Sequence, residues 1–371
     1  MIKRNRHSIL MVATPSMPSV QPPFRIGRRE IGSNHPVYVI AELSANHNRD
    51  FEQAKRIVHA AKEAGADAVK LQTYTPDTIT IQSDRECFRI RGGTLWDGRT
   101  LFDLYGEAYT PWEWQPELQA LSAELGLDFF SSAFDASAVD FLERLNVPVH
   151  KVASPELVDL PLIQKMAATG KPLILSTGMA SLEEIDEAVA AARAAGASRI
   201  ALLRCNSSYP APAEEMNLRS IPDMTQRFGV PVGLSDHTPG IAASIAAVAL
   251  GATLIEKHLT LSRADGGPDA AFSLEPEEFR TLVSNIRMVE GCLGTVHYGP
   301  TPHEVKTRPF RRSLFVVHDM QKGDAFTTEN VRSIRPADGL HPRHFREILG
   351  QKAVQKIARG TPLAWELVDR T

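Results

Sequence analysis

Cysteine is scarce. The chain carries three in 371 residues, Cys87, Cys205 and Cys292, an odd number with no CxxC pair among them. That excludes a disulfide framework and a zinc finger, and it fits free thiols in a reducing cytoplasm. Net charge is small as well: 41 basic residues against 44 acidic give −3, so no electrostatic argument favours nucleic acid or an anionic membrane as partner. No apolar run reaches transmembrane length. Small molecules are the expected partners. The basic start and the apolar patch at 9–13 imitate a signal peptide, but that patch is too brief and Pro15, Pro18, Pro22 and Pro23 follow it. Residues 1–30 are therefore expected to form a disordered tail. A glycine-rich dinucleotide fingerprint after the first predicted strand is also missing, which argues against an open doubly wound sheet.

What is present is a hydrophobic share of 43%, enough for a substantial core, and a repeating pattern. Apolar, β-rich runs near 37–42, 67–72, 127–132, 148–153, 172–176, 199–205, 230–234 and 253–259 alternate with helical segments. Helix starts are marked by Asp50 with Gln53, by Ser181 with Glu184 as a capping box, and by Pro276 ahead of Glu277 and Glu278. Continuous apolar strands alternating with helices imply a parallel sheet buried on both faces. Eight such units predict an α/β fold, a (β/α)8 TIM barrel over 31–294. The second and third strands are separated by a long insert, 73–115, rich in Trp and Tyr; it predicts a rim loop, either a lid for a sugar or rings packed on the barrel. A linker at 295–310, rich in Pro, Gly and Thr, leads to a small domain at 311–371 that is mostly β and irregular.

A TIM barrel draws its site from polar residues at strand carboxyl ends. Those residues are Glu42 and Asn46; Lys70 and Gln72; Ser131 and Ser132; Lys151, Ser154 and Glu156; Ser176 and Thr177; Asn206 and Tyr209; Ser235 and His237; and His258. His237 and His258 end two parallel strands joined by a crossover helix, which raises both to one rim, where they suit a divalent metal. Plain hydrogen bonding is the other reading of two rim histidines. Asp236, Glu256 and Asp269 bring carboxylates within a few residues of them, to orient or join such a site. The lysines, the hydroxyls and backbone amides at Gly178 and Gly240 make an anion pocket.

AELSANHN, VKLQT, KVASPE, LSTGM, CNSSYPAP, GLSDHTPG, IEKHLTL and GGPDAAFSLEP, in this order, resemble the sialic acid synthase (NeuB-like) family over roughly 37–369. RRSLFV, SIRPADGL and RGTPL resemble its C-terminal SAF, or antifreeze-like, domain. GTLWDGRTLFDLYGEAYTPWEW, with AELSANHN and SSAFD, is most similar to the pseudaminic branch of the family. The resemblance implies condensation of phosphoenolpyruvate with an amino sugar, here 2,4-diacetamido-2,4,6-trideoxy-L-altrose, to a nine-carbon 2-keto acid. N-acetylneuraminate or legionaminate synthesis is the alternative within the family. It implies a divalent metal ion (Mn, Mg or Co) on His237 and His258, with Glu42 as a catalytic acid beside metal and substrate. Lys70, Gln72, Lys151, Ser154, Ser176 and Ser235 match positions that hold phosphoenolpyruvate; Glu156, Asn206, Tyr209 and Asp269 match positions near the sugar. Arg335 matches an arginine donated by the other subunit of a domain-swapped homodimer. Pro155 and Ala133 depart from the family pattern. Two readings stand outside the family: a class I aldolase with a Schiff base on Lys70, Lys151 or Lys257, and a non-catalytic binding role for 311–371.

Overall fold

The computed structural model describes residues 21–370 and divides after Gly294 into two compact units. Eight parallel strands close a barrel in the first: β1 Tyr38–Glu42, β2 Ala68–Thr73, β3 Asp128–Ala133, β4 His150–Val152, β5 Leu173–Ser176, β6 Ile200–Cys205, β7 Val232–Asp236 and β8 Leu254–His258, with β8 pairing back onto β1. Each overlaps one of the apolar runs of the sequence, with β2 and β3 ending one residue and β7 two residues beyond the expected run. Burial on both faces explains why the runs are continuous: one set of side chains fills the barrel and the other packs under the helices. Register then sets the site. His258, Glu42 and Lys70 stand side by side on β8, β1 and β2, while Glu256 pairs with Ser235 and Ser235 with Cys205 across β8, β7 and β6.

The helices start where short polar side chains take up free amides. Ser181 and Glu184 close a capping box on helix Leu182–Ala194, and Pro276 opens the 18-residue helix Pro276–Leu293. Asp50 caps helix Phe51–Glu63, but Gln53 does not close a box with it; its amide donates instead to the Asn46 carbonyl at 2.6 Å. Among the described residues no helix is long and apolar enough to cross a membrane.

The insert is a built structure. Helix Leu101–Ala108 is capped by Thr100, and Trp112 donates its indole N–H to the Tyr74 carbonyl at 3.1 Å. Trp114 packs on His47 and Phe51, and the Arg49 guanidinium lies 4.5 Å over the Tyr109 ring.

One expectation is corrected. Residues 1–20 of the predicted tail lie outside the described residues, but part of the remainder is ordered: Phe24–Ile26 and Arg29–Ile31 pair as a hairpin, and Phe24, Ile26 and Ile31 join the barrel's core. Paired strands with buried apolar side chains hold these residues in place. The Arg28 amide donates to Asp128, which also accepts from the Tyr38 hydroxyl at 2.9 Å. Within the linker Thr301 and Glu304 box a helical turn at Pro302–Val305.

The small unit has its own core of Leu314, Val316, Phe326, Val331, Ile348 and Leu363, under the antiparallel pairs Ser313–Val316 with Val331–Ile334 and Lys352–Ala353 with Val368–Asp369. The loop after Ile334 is pinned by Ser313, whose hydroxyl donates to the Pro336 carbonyl at 2.7 Å and accepts from the Gly339 amide at 2.9 Å.

Gly27 turns the hairpin at φ +49°, where a Cβ would stand 2.2 Å from the Asp128 carboxylate. Gly27→Ala adds left-handed strain to that clash, and it is expected to lower stability by about 2–4 kcal/mol, read as an earlier urea midpoint.

Candidate active site

Strand alternation places Glu42, Lys70, Ser132, Lys151, Ser176, Ser235, Glu256 and His258 around one buried centre at the carboxyl end of the barrel. Lys70 and Glu42, 3% and 1% exposed, form a contact ion pair. The Lys70 ammonium also lies 3.5 Å from Glu256 and donates to the Ser132 hydroxyl at 3.2 Å. Lys151 donates to the Ser176 hydroxyl at 2.7 Å, and Ser235 donates to Glu256 at 3.2 Å.

Charge in so dry a place moves proton affinities. Burial pushes the Glu42 carboxyl up to about 7 against the opposing pull of Lys70. Burial acts the same way on Glu256, but Lys70 and Lys151 outweigh it and hold that carboxylate below its usual range. Lys70 stays charged because Glu256 and Glu42 outweigh its burial, whereas burial lowers Lys151. A Schiff base on Lys70 is thereby disfavoured. Lys257, the third aldolase candidate, is on the other face of β8 and pairs with Asp236 at 3.0 Å.

The two histidine rings stand 5.3 Å apart, edge to face. His237 Nδ1 is 2.8 Å from the Asn206 carbonyl, which fixes the tautomer and leaves Nε2 free to ligate. Burial and the neighbouring His237 keep His258 neutral, and its Nδ1 is buried without a partner. Among the described residues no cluster of three or more His, Cys, Asp or Glu side chains is set to hold an ion. The pair nevertheless suits a cation that keeps open positions, since one ring is fixed by a carbonyl and the other has an unmet nitrogen.

Above this centre is a cavity of about 340 Å³, lined on the barrel side by Ser44, Gln72, Tyr74, Tyr209, His258 and Asp269. The insert lines the other side with Ile90, Thr94, Trp96, Leu101, Leu104, Tyr105 and Ala108. Tyr209 stacks on His237 at 4.3 Å and Phe272 packs against His258 at 5.0 Å. Asp269 accepts from the Ser44 hydroxyl and from the Ala45 amide at 3.2 Å.

Thus Glu42, Lys70, Gln72, Lys151, Ser176, Tyr209, Ser235, His237, His258 and Asp269 gather at one mouth. The others are placed differently. Ser154 is next to them, accepting from the Gly178 amide at 3.0 Å, where a Cβ on Gly178 would stand 2.7 Å from that hydroxyl. Asn206 contributes its carbonyl to His237, while its side chain turns to Glu215 and Ser208. Glu156 lines a neighbouring groove with Thr78, Phe134 and Lys165. Asp236, expected beside the histidines, faces outward to Thr238, Ser244 and Lys257, because alternation along β7 sends Ser235 and His237 inward and the residue between them outward. Arg335 belongs to the small unit and is exposed. Ser132 and Glu256, both expected at this rim, reach the centre on the inward phase of their strands, whereas Cys205, 3.9 Å from His237 Nδ1, was not predicted as a site residue.

A closed parallel barrel whose lysines, carboxylates and histidines converge at the carboxyl mouth defines a barrel enzyme. Residues 57–298 match the NeuB family and residues 311–369 match the SAF domain. The chain belongs to the NeuB family. It is 46% identical over 337 residues to a pseudaminic acid synthase of Helicobacter pylori, covering 91% of this chain and 99% of that relative. A pseudaminic acid synthase of Campylobacter jejuni is 43% identical, covering 88% and 95%. Among solved structures, the N-acetylneuraminic acid synthetase of Leptospira borgpetersenii superposes with a TM-score of 0.69 at 31% identity, covering 78% of this chain and 96% of that one.

Burial pushes the Glu156 carboxyl from 4.5 up to about 7. The folded state therefore holds this proton more tightly than the unfolded chain, and the parent loses stability as pH rises from about 4.5 through 7. Glu156→Gln is expected to melt higher than the parent at pH 8, with the difference closing below pH 4.5 in paired thermal melts.

Proposed function

We propose that this protein condenses phosphoenolpyruvate with 2,4-diacetamido-2,4,6-trideoxy-L-altrose and water, giving pseudaminic acid and phosphate. One observation carries this: relatives named pseudaminic acid synthase match about nine-tenths of the chain at 43–46% identity, well above the 31% of the N-acetylneuraminic acid synthetase. The site's chemistry fits. Lys70 and Lys151 supply positive charge for the carboxylate and phosphate of phosphoenolpyruvate, beside the hydroxyls of Ser132, Ser154, Ser176 and Ser235. Tyr209 and Asp269 wall the cavity above them, so the open-chain sugar is held with its aldehyde carbon toward the methylene carbon of phosphoenolpyruvate.

The carbon–carbon bond forms between those two atoms, and the aldehyde oxygen takes up the electron pair and a proton. Water adds to the cationic enol-ether carbon and gives up a proton, and the tetrahedral centre expels phosphate to leave the 2-keto group. Glu42, raised to about 7 and paired with Lys70, is suited to hold or deliver a proton in these steps near neutral pH. His237 and His258 would hold a divalent cation, Mn, Mg or Co, which when bound supplies Lewis-acid polarisation of the aldehyde oxygen.

Phosphate release by the purified protein tests this reading. It is expected to require both phosphoenolpyruvate and the diacetamido trideoxy sugar, to stop on chelation, and to be lost in His258→Ala while the melt is retained. Comparable kcat/KM with N-acetylmannosamine would move the assignment to N-acetylneuraminate synthesis.

The protein is further proposed to work as a homodimer in which the small unit of one chain completes the barrel site of the other. Support comes from Arg335, which is exposed at the end of Val331–Ile334 and is followed by a loop that Ser313 holds from two sides. Such a guanidinium is presented to a sugar amide or carboxylate with little ordering cost. Arg335→Ala is expected to raise the sugar KM or lower kcat with the dimer intact. Mixing it with inactive His237→Ala under subunit exchange should restore part of the activity; no recovery despite proven exchange would mean that the arginine does not act across the dimer.

A further inference from the structure

The cavity above the barrel has two chemically different ends. At one end are Ser44, Gln72, His258 and Asp269; at the other the insert contributes Ile90, Leu101, Leu104 and Ala108. These four side chains have no donor or acceptor. Two insert hydroxyls lie in the same wall: Thr94 Oγ1 already donates to Asp97 at 2.7 Å, and Tyr105 sets its ring edge to face against Tyr74 at 5.5 Å. The apolar end is also held in place. Trp96 ties the insert to the barrel by donating its indole N–H to the Pro268 carbonyl at 3.1 Å, and its ring stands 5.7 Å from Tyr209. Leu104 is nearly buried on the helix Leu101–Ala108.

We infer that Ile90, Leu101, Leu104 and Ala108 form the subsite for the far end of the sugar chain and select an acceptor whose terminal carbon is a methyl rather than a hydroxymethyl group. This rests on the proposed function and deepens it. With the aldehyde at the histidine end, the remote carbon of an open-chain six-carbon sugar extends toward the insert. A methyl there gains burial, whereas a terminal hydroxyl loses water and meets no donor or acceptor among these four side chains. The apolar pocket sets the scale: pockets of this kind reject an added hydroxyl by about 10–100-fold, and not by the far larger factors available to a hydrogen-bonding site.

The test compares kcat/KM for the 6-deoxy diacetamido sugar with that for the same sugar bearing a 6-hydroxyl, in the parent, Leu101→Asn and Ala108→Ser. The serine is a one-atom change at a half-buried position in the last turn of the helix, and melting curves establish that each variant is folded. The parent is expected to favour the 6-deoxy sugar by about tenfold or more. Each variant offers the hydroxyl a partner, so the ratio should fall toward one, chiefly through faster turnover of the 6-hydroxy sugar. An unchanged ratio in both folded variants, or no preference in the parent, overturns the inference and leaves the assignment of function standing. Turnover of neither sugar overturns the function and this subsite together.

Discussion

The site depends on a buried balance of charge. Glu42, Lys70, Lys151 and Glu256 are all nearly inaccessible, and none could remain ionised there alone, since stripping water from one charge costs several kcal/mol. They hold one another: Lys70 lies between Glu42 and Glu256, and Lys151 adds a second positive charge nearby. The balance leaves a few polar atoms unmet, namely the second oxygen of Glu256 and Nδ1 of His258. In an inert core such atoms would be a plain cost. Here both belong to the site, where an unmet carboxylate oxygen can accept from an N–H or O–H and an unmet imidazole nitrogen can exchange a proton or meet a cation.

The barrel supplies rigidity, and the insert walls one side of the cavity. A loop of some forty residues carries an entropic cost, which grows slowly with length, and short-range helix formation does not offset it alone. Trp112 on Tyr74, Trp114 on His47 and Phe51, Arg49 on Tyr109 and Trp96 on Pro268 fasten it at separate points. Its rings thus divide between the two roles foreseen for them: Trp112 and Trp114 anchor the loop, while Trp96 and Tyr105 wall the cavity. The same loop that resembles the pseudaminic branch in sequence is the one that shapes the far end of the cavity.

The sequence by itself determined the eight strands, their order, the helix caps at Ser181 and Pro276 and the rim on which chemistry would be found. Apolar runs and capping residues act over a few positions, so they are legible without the fold. Tertiary structure decided what required closure of the barrel. Alternation says that Asp236 and His237, or Glu256 and Lys257, face opposite ways, but only register with the neighbouring strands says which of each pair faces inward. That is why Glu256 joined the centre and Asp236 left it. The hairpin at Phe24–Ile26 was hidden for a similar reason, since its short strands are stabilised by Asp128 and the core, about a hundred residues away, and not by any local signal. The reach of Trp96 to Pro268 spans still more of the chain, and no local pattern records a contact made only when distant segments arrive at one rim.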